Sequence, residues 1–547
     1  MIINTLIFSL LAFIPFAWSK QINGNYFNTK MFLVYLLGGL CLTQIAFLKS
    51  KLQKIKLPKW IFLGLLYFAL FLLIQPAVSG NYFFYWYVFK IITFCSISYY
   101  FYATDVHTEI LENQYIKLLL SIGMITLIWI HLTEIYEFRF IKDTLDHARL
   151  LGTFGNVNML AEFFILSLPL VYFWARRPEF VHSIIKYLIL SCWVFIILYT
   201  RSRSAWIGLA LFMCYALFKD CTKKDIFAFI FGFSLFLIVI SLPTKNDTID
   251  VNVKLNSFSE RIALYKSSLA IMQDSPLGLG LGSFVNELIP YRLHQDFKPY
   301  EFEYADQPHS EILKWGVEFG WIGFILALSM LLYIFIDIIR IKNLFLMSGF
   351  LVIVPQLFFQ FPFENPAGIL LLSIYTGFWL KTKFTTDSML LKKPTLILFT
   401  SFGIFAILHS FIFISSIAIE SQFDKDFEKT SFMCAIYPVN HRNCNFKNVL
   451  LLEKNETTQF RNELKTELNF SYMTSDLQRI LPIYFQRVNN EKALCEDILI
   501  YKLMYPAQKF FSDENLKFCS RFPTPIKYDN PVQFRTDYRK WLDSVIL

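Results

Sequence analysis

The sequence predicts an all-α polytopic integral membrane protein of about 13 transmembrane helices, with a large loop and a small, mainly helical C-terminal domain outside the bilayer. Three observations carry this reading. Of 547 residues, 55% are hydrophobic and only 17% charged, against about 25% charged in a soluble domain. The mean hydropathy is +0.46. The apolar residues fall into runs near the roughly 20 residues a spanning helix needs, parted by short basic loops. The 61 Phe and 28 Tyr suit lipid contact and interfacial belts. This composition excludes a large soluble enzyme, a disordered chain, a coiled coil, and a nucleic-acid binder acting through a basic surface.

Candidate spans lie near residues 2–18, 31–48, 60–75, 83–103, 118–136, 159–175, 186–200, 204–218, 226–242, 312–339, 343–361, 367–380 and 395–416. The net charge of +9 resides in the loops. Lys49, Lys51, Lys54, Lys56 and Lys59 follow the second span, and Arg176, Arg177 and Lys186 the sixth. Lys219, Lys223 and Lys224 follow the eighth; Arg340 and Lys342 follow the tenth. Lys381, Lys383, Lys392 and Lys393 follow the twelfth. Every cluster follows an even-numbered crossing, so all share one face, which the positive-inside rule makes cytoplasmic. Five regions result: N-terminal spans (1–136), a second membrane region (137–242), an outer loop (243–311), C-terminal spans (312–419) and an outer tail (420–547). Ala17-Trp18-Ser19 faintly resembles a signal-peptidase site; an uncleaved anchor is expected.

Cys434, Cys444, Cys495 and Cys519 in the tail fit two disulfides in an oxidising space, with three pairings open. Four buried free thiols are the alternative. Cys41, Cys95, Cys192, Cys214 and Cys221 lie in or beside spans and read as small apolar packers. No CxxC pair, HExxH or Walker Gly-Lys-Ser carries weight, so no metal and no cofactor is expected.

Four places on the outer side carry polar groups that need a reason. Thr200-Arg201-Ser202-Arg203-Ser204 is a tight turn with two Arg where basic residues are disfavoured; paired guanidinium bonds suit phosphate. His309, after Pro308, is expected to open the tenth span, sharing a face with Leu313, Gly316, Gly320 and Gly323, where glycines admit a close neighbour. A neutral imidazole there can take a proton; a packing histidine is the plain alternative. Ser257 and Glu260 read as a capping box opening a surface helix with Phe258, Ile262, Tyr265, Leu269 and Met272 on its apolar side, carrying Arg261 and Lys266. The run Pro276-Leu277-Gly278-Leu279-Gly280-Leu281-Gly282 that follows reads as a bare turn or a backbone cradle for phosphate. His147, Arg149, Gly152, Gly155, Asn156 and Asn158 form a polar lip before the sixth span. An ordinary loop with helix-capping Asn is the alternative there.

Together these residues resemble the O-antigen ligase superfamily: Arg261 with its helix, the Pro276–Phe284 glycine run, and His309-Ser310-Glu311 leading into Glu318-Phe319-Gly320 and Gly323. Arg149, Gly152, Gly155 and Asn158, with Glu364-Asn365-Pro366, resemble the bacterial O-linked oligosaccharyltransferases that glycosylate pilins. Such transferases often have Gln-Pro where this chain has Asn156-Val157, and a Tyr where it has Ala367-Gly368-Ile369. The resemblance covers roughly residues 145–370. It implies an inner-membrane glycosyltransferase with a periplasmic site and tail. The donor would be an oligosaccharide on undecaprenyl pyrophosphate, and the acceptor a Ser or Thr hydroxyl of a periplasmic protein such as a type IV pilin. Arg201, Arg203, Arg261 and Arg149 would hold the pyrophosphate; His309 would be the base, with Glu311 or Glu318 orienting it or serving equally as a helix cap or interhelical partner. Asn156, Asn158 and Glu364 would line the lip. Expected partners are therefore the lipid-linked donor, an acceptor protein and membrane lipids. Competing readings are an O-antigen ligase or polysaccharide polymerase, and, from another class, a flippase. Against the flippase, no second copy of the His309 or Arg201 region is present.

Overall fold

The computed structural model describes residues 2–17, 27–47, 51–53, 83–104, 114–137, 152–176, 183–219, 221–242, 251–293, 307–383, 388–390, 393–421, 427–436, 447–452, 454, 456–468, 475–504, 517–526 and 530–546. It is a helical membrane protein. Four helices are long and apolar enough to cross a bilayer by length and composition: Val157–Ala175, Lys223–Ser241, Glu311–Ile341 and Phe399–Ile419.

In chain order the helices are α1 (Ile2–Phe13), α2 (Phe27–Phe47), α3 (Phe83–Ala103), α4 (Gln114–Tyr136), α5 (Val157–Ala175), α6 (Ser183–Tyr199), α7 (Arg203–Lys219) and α8 (Lys223–Ser241). They continue with α9 (Val251–Asp274), α10 (Phe284–Leu293), α11 (Glu311–Ile341), α12 (Leu344–Phe359), α13 (Pro366–Lys383) and α14 (Lys393–Ser421). The tail adds α15 (Phe427–Ile436), α16 (Thr457–Leu468), α17 (Ser475–Arg487), α18 (Glu491–Met504) and α19 (Pro531–Ile546). Twelve of the thirteen candidate spans coincide with these helices; the one at 60–75 lies outside the described residues.

The chain divides into two compact units. The first comprises Met1–Pro58, Val88–Ile249 and Ser329–Ser415; the second comprises Lys59–Tyr87, Asp250–Leu328 and Ser416–Leu547.

In the first unit, contacts between loops check the topology independently of charge. A two-stranded antiparallel ribbon pairs β1 (Lys51–Gln53) with β2 (Ser388–Leu390), joining the loop after the second span to the loop after the twelfth. The ribbon is three residues on each side, and the other elements among the described residues are helical, as the all-α expectation requires. Lys381 donates to the Thr104 carbonyl at 2.7 Å, Lys383 pairs with Asp337 at 2.6 Å, and Arg176 lies 3.7 Å from Asp225. Asp225 itself closes a capping box with Thr222 at the start of α8. The basic loops are therefore tied to one another, as loops on one face of a bundle must be.

The opposite ends of the same helices are also knitted together. Buried Lys30 donates to the Ala17 carbonyl at 2.6 Å and to the Thr153 carbonyl. Small residues let the spans approach: a Cβ on Gly39 would lie 2.9 Å from the Ile407 backbone, and one on Gly232 would lie 2.5 Å from the Ser191 carbonyl.

In the second unit, α10 is shared between two cores. Phe284, Leu288 and Tyr291 pack with Leu264, Ile271, Met272 and Val317, while Ile289 enters the tail core with Leu481, Phe485, Phe534, Tyr538 and Leu542. A disulfide joins Cys495 to Cys519. Cys434 is also disulfide-bonded, and Cys444 lies outside the described residues.

Candidate functional site

The two Arg of the outer turn belong to the first unit. Arg201 adopts φ 54°, a left-handed conformation that folds the chain from α6 straight into α7. Thr200, Ser202 and Ser204 are buried around it while Arg201 is half-buried and Arg203 exposed. The turn is pinned by the Ser202–Ser204 hydroxyl pair at 3.2 Å and by Gln360, whose amide donates to the Ser204 hydroxyl at 3.2 Å. These side-chain bonds fix the turn that carries Arg201 and Arg203.

In the same unit, Asn156 caps α5, its side chain accepting from Asn158 N at 2.8 Å. That supports the plain capping role for this part of the lip. Arg149 lies outside the described residues. Glu364 is buried and forms an ion pair with Lys90 of α3, which is equally buried. Sequence reasoning missed Lys90, although a lone lysine inside Phe83–Ala103 was a usable signal, since intramembrane charges are costly and kept for a purpose. Glu162, one turn into α5, is another buried ionisable group that went unremarked, close enough that a Cβ on Gly368 would lie 2.4 Å from its carboxylate.

Arg261, His309 and Glu311 belong to the second unit. His309 does not open the helix as expected. It sits at φ 53°, two residues before α11 begins at Glu311, and its carbonyl accepts from the Tyr265 hydroxyl at 3.1 Å. Pro308 favours an extended residue before it, and the left-handed turn at His309 then redirects the chain into α11. Burial, and after it the positive charge of Arg261, lower the His309 pKa from 6.5 to about 4. The imidazole is therefore neutral at ambient pH, with Arg261 close enough to be felt. Glu311 is buried and accepts from the Trp315 indole at 3.1 Å.

The glycine face expected from 309 to 323 is interrupted. Gly320 has φ 69° and ψ −168°, which breaks α11. The glycine run docks into that break through backbone bonds: Leu279 N to Val317 O at 3.0 Å, Gly280 N to Glu318 O at 2.9 Å, and Trp321 N to Pro276 O at 3.0 Å. Gly282 N donates to the buried Glu318 carboxylate at 2.9 Å. These amides are thus spent on a clasp, so the run is not a phosphate cradle. Glu318 locks the loop.

The break also resets the tenth span. A straight helix of 31 residues would be about 46 Å long, well beyond a hydrocarbon core of about 30 Å. Before Gly320 the charged Glu311, Lys314 and Glu318 are buried in protein; after it Trp321, Ile322, Ile325, Leu332 and Ile336 are exposed, as lipid-facing residues should be. The residues exposed after the break lie in Trp321–Ile341, within the helix Glu311–Ile341 that is long and apolar enough to cross a bilayer. Lys314, a buried group that the helical period concealed, donates to the Tyr87 hydroxyl at 2.7 Å. Helix α9 differs too: it starts at Val251 rather than at the Ser257 capping box. It buries Leu264, Ser267, Ser268, Ile271 and Met272 while exposing Ile262 and Leu269 of the apolar side expected to meet the membrane surface. Among the described residues no cluster of His, Cys, Asp and Glu is disposed to hold a metal.

Arg201, Arg203, Arg261, His309, Glu311 and the clasp all lie within one segment. Residues 187–328 match the family model described as O-antigen ligase. The match supports the O-antigen ligase superfamily and a glycosyltransferase-type activity on a lipid-linked glycan. Arg149, Gly152, Gly155, Asn158 and Glu364, which carried the likeness to pilin-glycosylating enzymes, fall outside the matched segment. No curated protein matches the chain.

Proposed function

We propose that the protein is an O-oligosaccharyltransferase that moves an oligosaccharide from undecaprenyl pyrophosphate to a Ser or Thr hydroxyl of a periplasmic protein, with a type IV pilin as the acceptor. The observation that carries this reading is a neutral, half-buried His309 beside Arg261, inside the segment that matches the O-antigen ligases. A serine hydroxyl attacks the anomeric carbon only as its proton is removed, and an imidazole held unprotonated can receive it. The leaving lipid pyrophosphate carries negative charge, which Arg261 would stabilise as the glycosidic bond breaks. A donor anion beside Arg261 would offset one of the two causes that depress His309, so donor binding would strengthen the base. The protein would sit in the inner membrane with 243–311 and 420–547 in the periplasm, where its disulfides form.

The polar tail and the polar entry at 149–158 favour a protein acceptor over lipid A–core or a growing polysaccharide. The test is a comparison of cells with and without the gene in a strain making lipid-linked glycan. Candidate pilins are weighed by intact-mass spectrometry, and lipopolysaccharide is run on a gel. A pilin heavier by one glycan unit, with unchanged lipopolysaccharide banding, is the expected result. Altered banding with unmodified pilin would assign the acceptor to lipid A–core instead.

A further inference from the structure

We infer that the C-terminal helices are the strut that positions the glycine clasp for glycan transfer, with Arg535 and Glu287 as the positioning pair; the functional half of this claim rests on the proposed transferase reading. Arg535 of α19 meets Glu287 of α10 at 2.7 Å, with side chains 25% and 12% exposed. Burial raises the Glu287 pKa and Arg535 opposes that rise.

A continuous series of contacts links this pair to the candidate site. Helix α19 is held to α18 by Trp541, whose indole donates to Glu496 at 2.9 Å, and α18 carries the Cys495–Cys519 disulfide. Ile289 of α10 is part of the tail core. The first turn of α10 continues the clasp directly: Glu287 N bonds to Ser283 O at 3.1 Å, and the Ser283 hydroxyl to Gly280 O. Gly280 and Gly282 then hold Glu318 and, through it, the break in α11. His309 leads into that same helix and is tied by its carbonyl to Tyr265 of α9. Leu277 at the start of the run is 69% exposed, whereas Leu281 is buried and Leu279 packs against the core that α10 shares with α9 and α11. What holds its far end is α10, and one side of α10 is held by the tail.

The experiment uses the full chain in lipid nanodiscs and compares Arg535→Gln, Glu287→Gln, the double variant and the conservative Arg535→Lys. Hydrogen exchange of the 276–284 amides reads the strut without reference to activity. Each single Gln variant is expected to speed that exchange by about tenfold, and the double variant to resemble either single one, as coupled residues do. Arg535→Lys should retain protection. With a lipid pyrophosphate-linked oligosaccharide, kcat should fall about fivefold with donor KM nearly unchanged, the split expected when geometry rather than binding is lost. Unaltered exchange at 276–284 in variants that keep the Cys495–Cys519 disulfide would overturn the strut, as would additive effects in the double variant. Altered exchange alongside a wild-type protein that transfers no glycan would leave the strut standing and remove the transferase reading. Should a Gln variant fail to accumulate, Arg535→Lys against wild type carries the test, and loss of protection in it would overturn the charge-pair role.

Discussion

Replacing His309 with Ala is expected to lower glycan transfer by about 10²- to 10⁴-fold, the range a general base contributes, while the protein accumulates in the membrane as before. The pH dependence gives a finer reading. Only the neutral imidazole can accept the acceptor's proton, and burial together with Arg261 holds His309 neutral down to about 4. The acid limb of kcat/KM, which reports the free enzyme, should therefore lie near that value and leave the rate level through the neutral range. Arg261→Gln removes the second of the two causes, so the limb should move upward, toward the ordinary histidine value of 6.5. The height of the profile will fall as well if Arg261 contacts the donor, but the position of the limb is a separate readout. Full activity in His309→Ala, or an acid limb already near 6.5 that Arg261→Gln does not move, would exclude His309 as the base.

Gly320→Ala is the second substitution with a large expected effect. Its φ of 69° with ψ of −168° belongs to a region essentially reserved for glycine. An added Cβ would lie 2.2 Å from the Pro276 carbonyl oxygen and 2.6 Å from Gly278 N, both backbone atoms that cannot swing aside. Backbone strain alone is worth about 1–3 kcal/mol, and the collision would force the clasp open. The expected outcome is a lower midpoint of thermal unfolding and transfer reduced by more than about tenfold, the effect of misplacing a reacting group. Gly316→Ala is the matched control. Its Cβ would meet the sulfur and methyl of Met272, a flexible side chain that can give way, so both readouts should stay near wild type. Equal tolerance at 316 and 320 would show that the break in α11 is not needed.

The apolar runs were legible because a bilayer imposes a length and a hydropathy on every span, and the basic loops then fixed which ends belong together. Lys51 and Lys381 fell on the same side by charge, and the β1–β2 ribbon and the Lys381–Thr104 bond join those loops in space. What local pattern cannot reveal is a partner distant in sequence. The spacing of Gly316, Gly320 and Gly323 fits a helix-packing face, yet Gly320 serves a turn whose other half is Pro276–Gly280. Ser257 and Glu260 have the spacing of a capping box, but α9 begins six residues further back, at Val251. Glu318 was legible as a polar residue near His309, but its partner Gly282 N, 36 residues earlier, was not. Glu364 was visible as a polar residue at a lip; its lysine, Lys90, was hidden in an apolar run more than two hundred residues earlier.

The central physical claim is that His309, beside Arg261, acts at the donor headgroup. The most direct test is photocrosslinking in nanodiscs with an undecaprenyl pyrophosphate oligosaccharide that carries a diazirine beside the diphosphate, followed by mapping of the adducts by mass spectrometry. The expected result is an adduct in the peptide covering Gln307–Glu311 and its loss when unlabelled donor competes. Absence of a competable adduct in that peptide would contradict the claim.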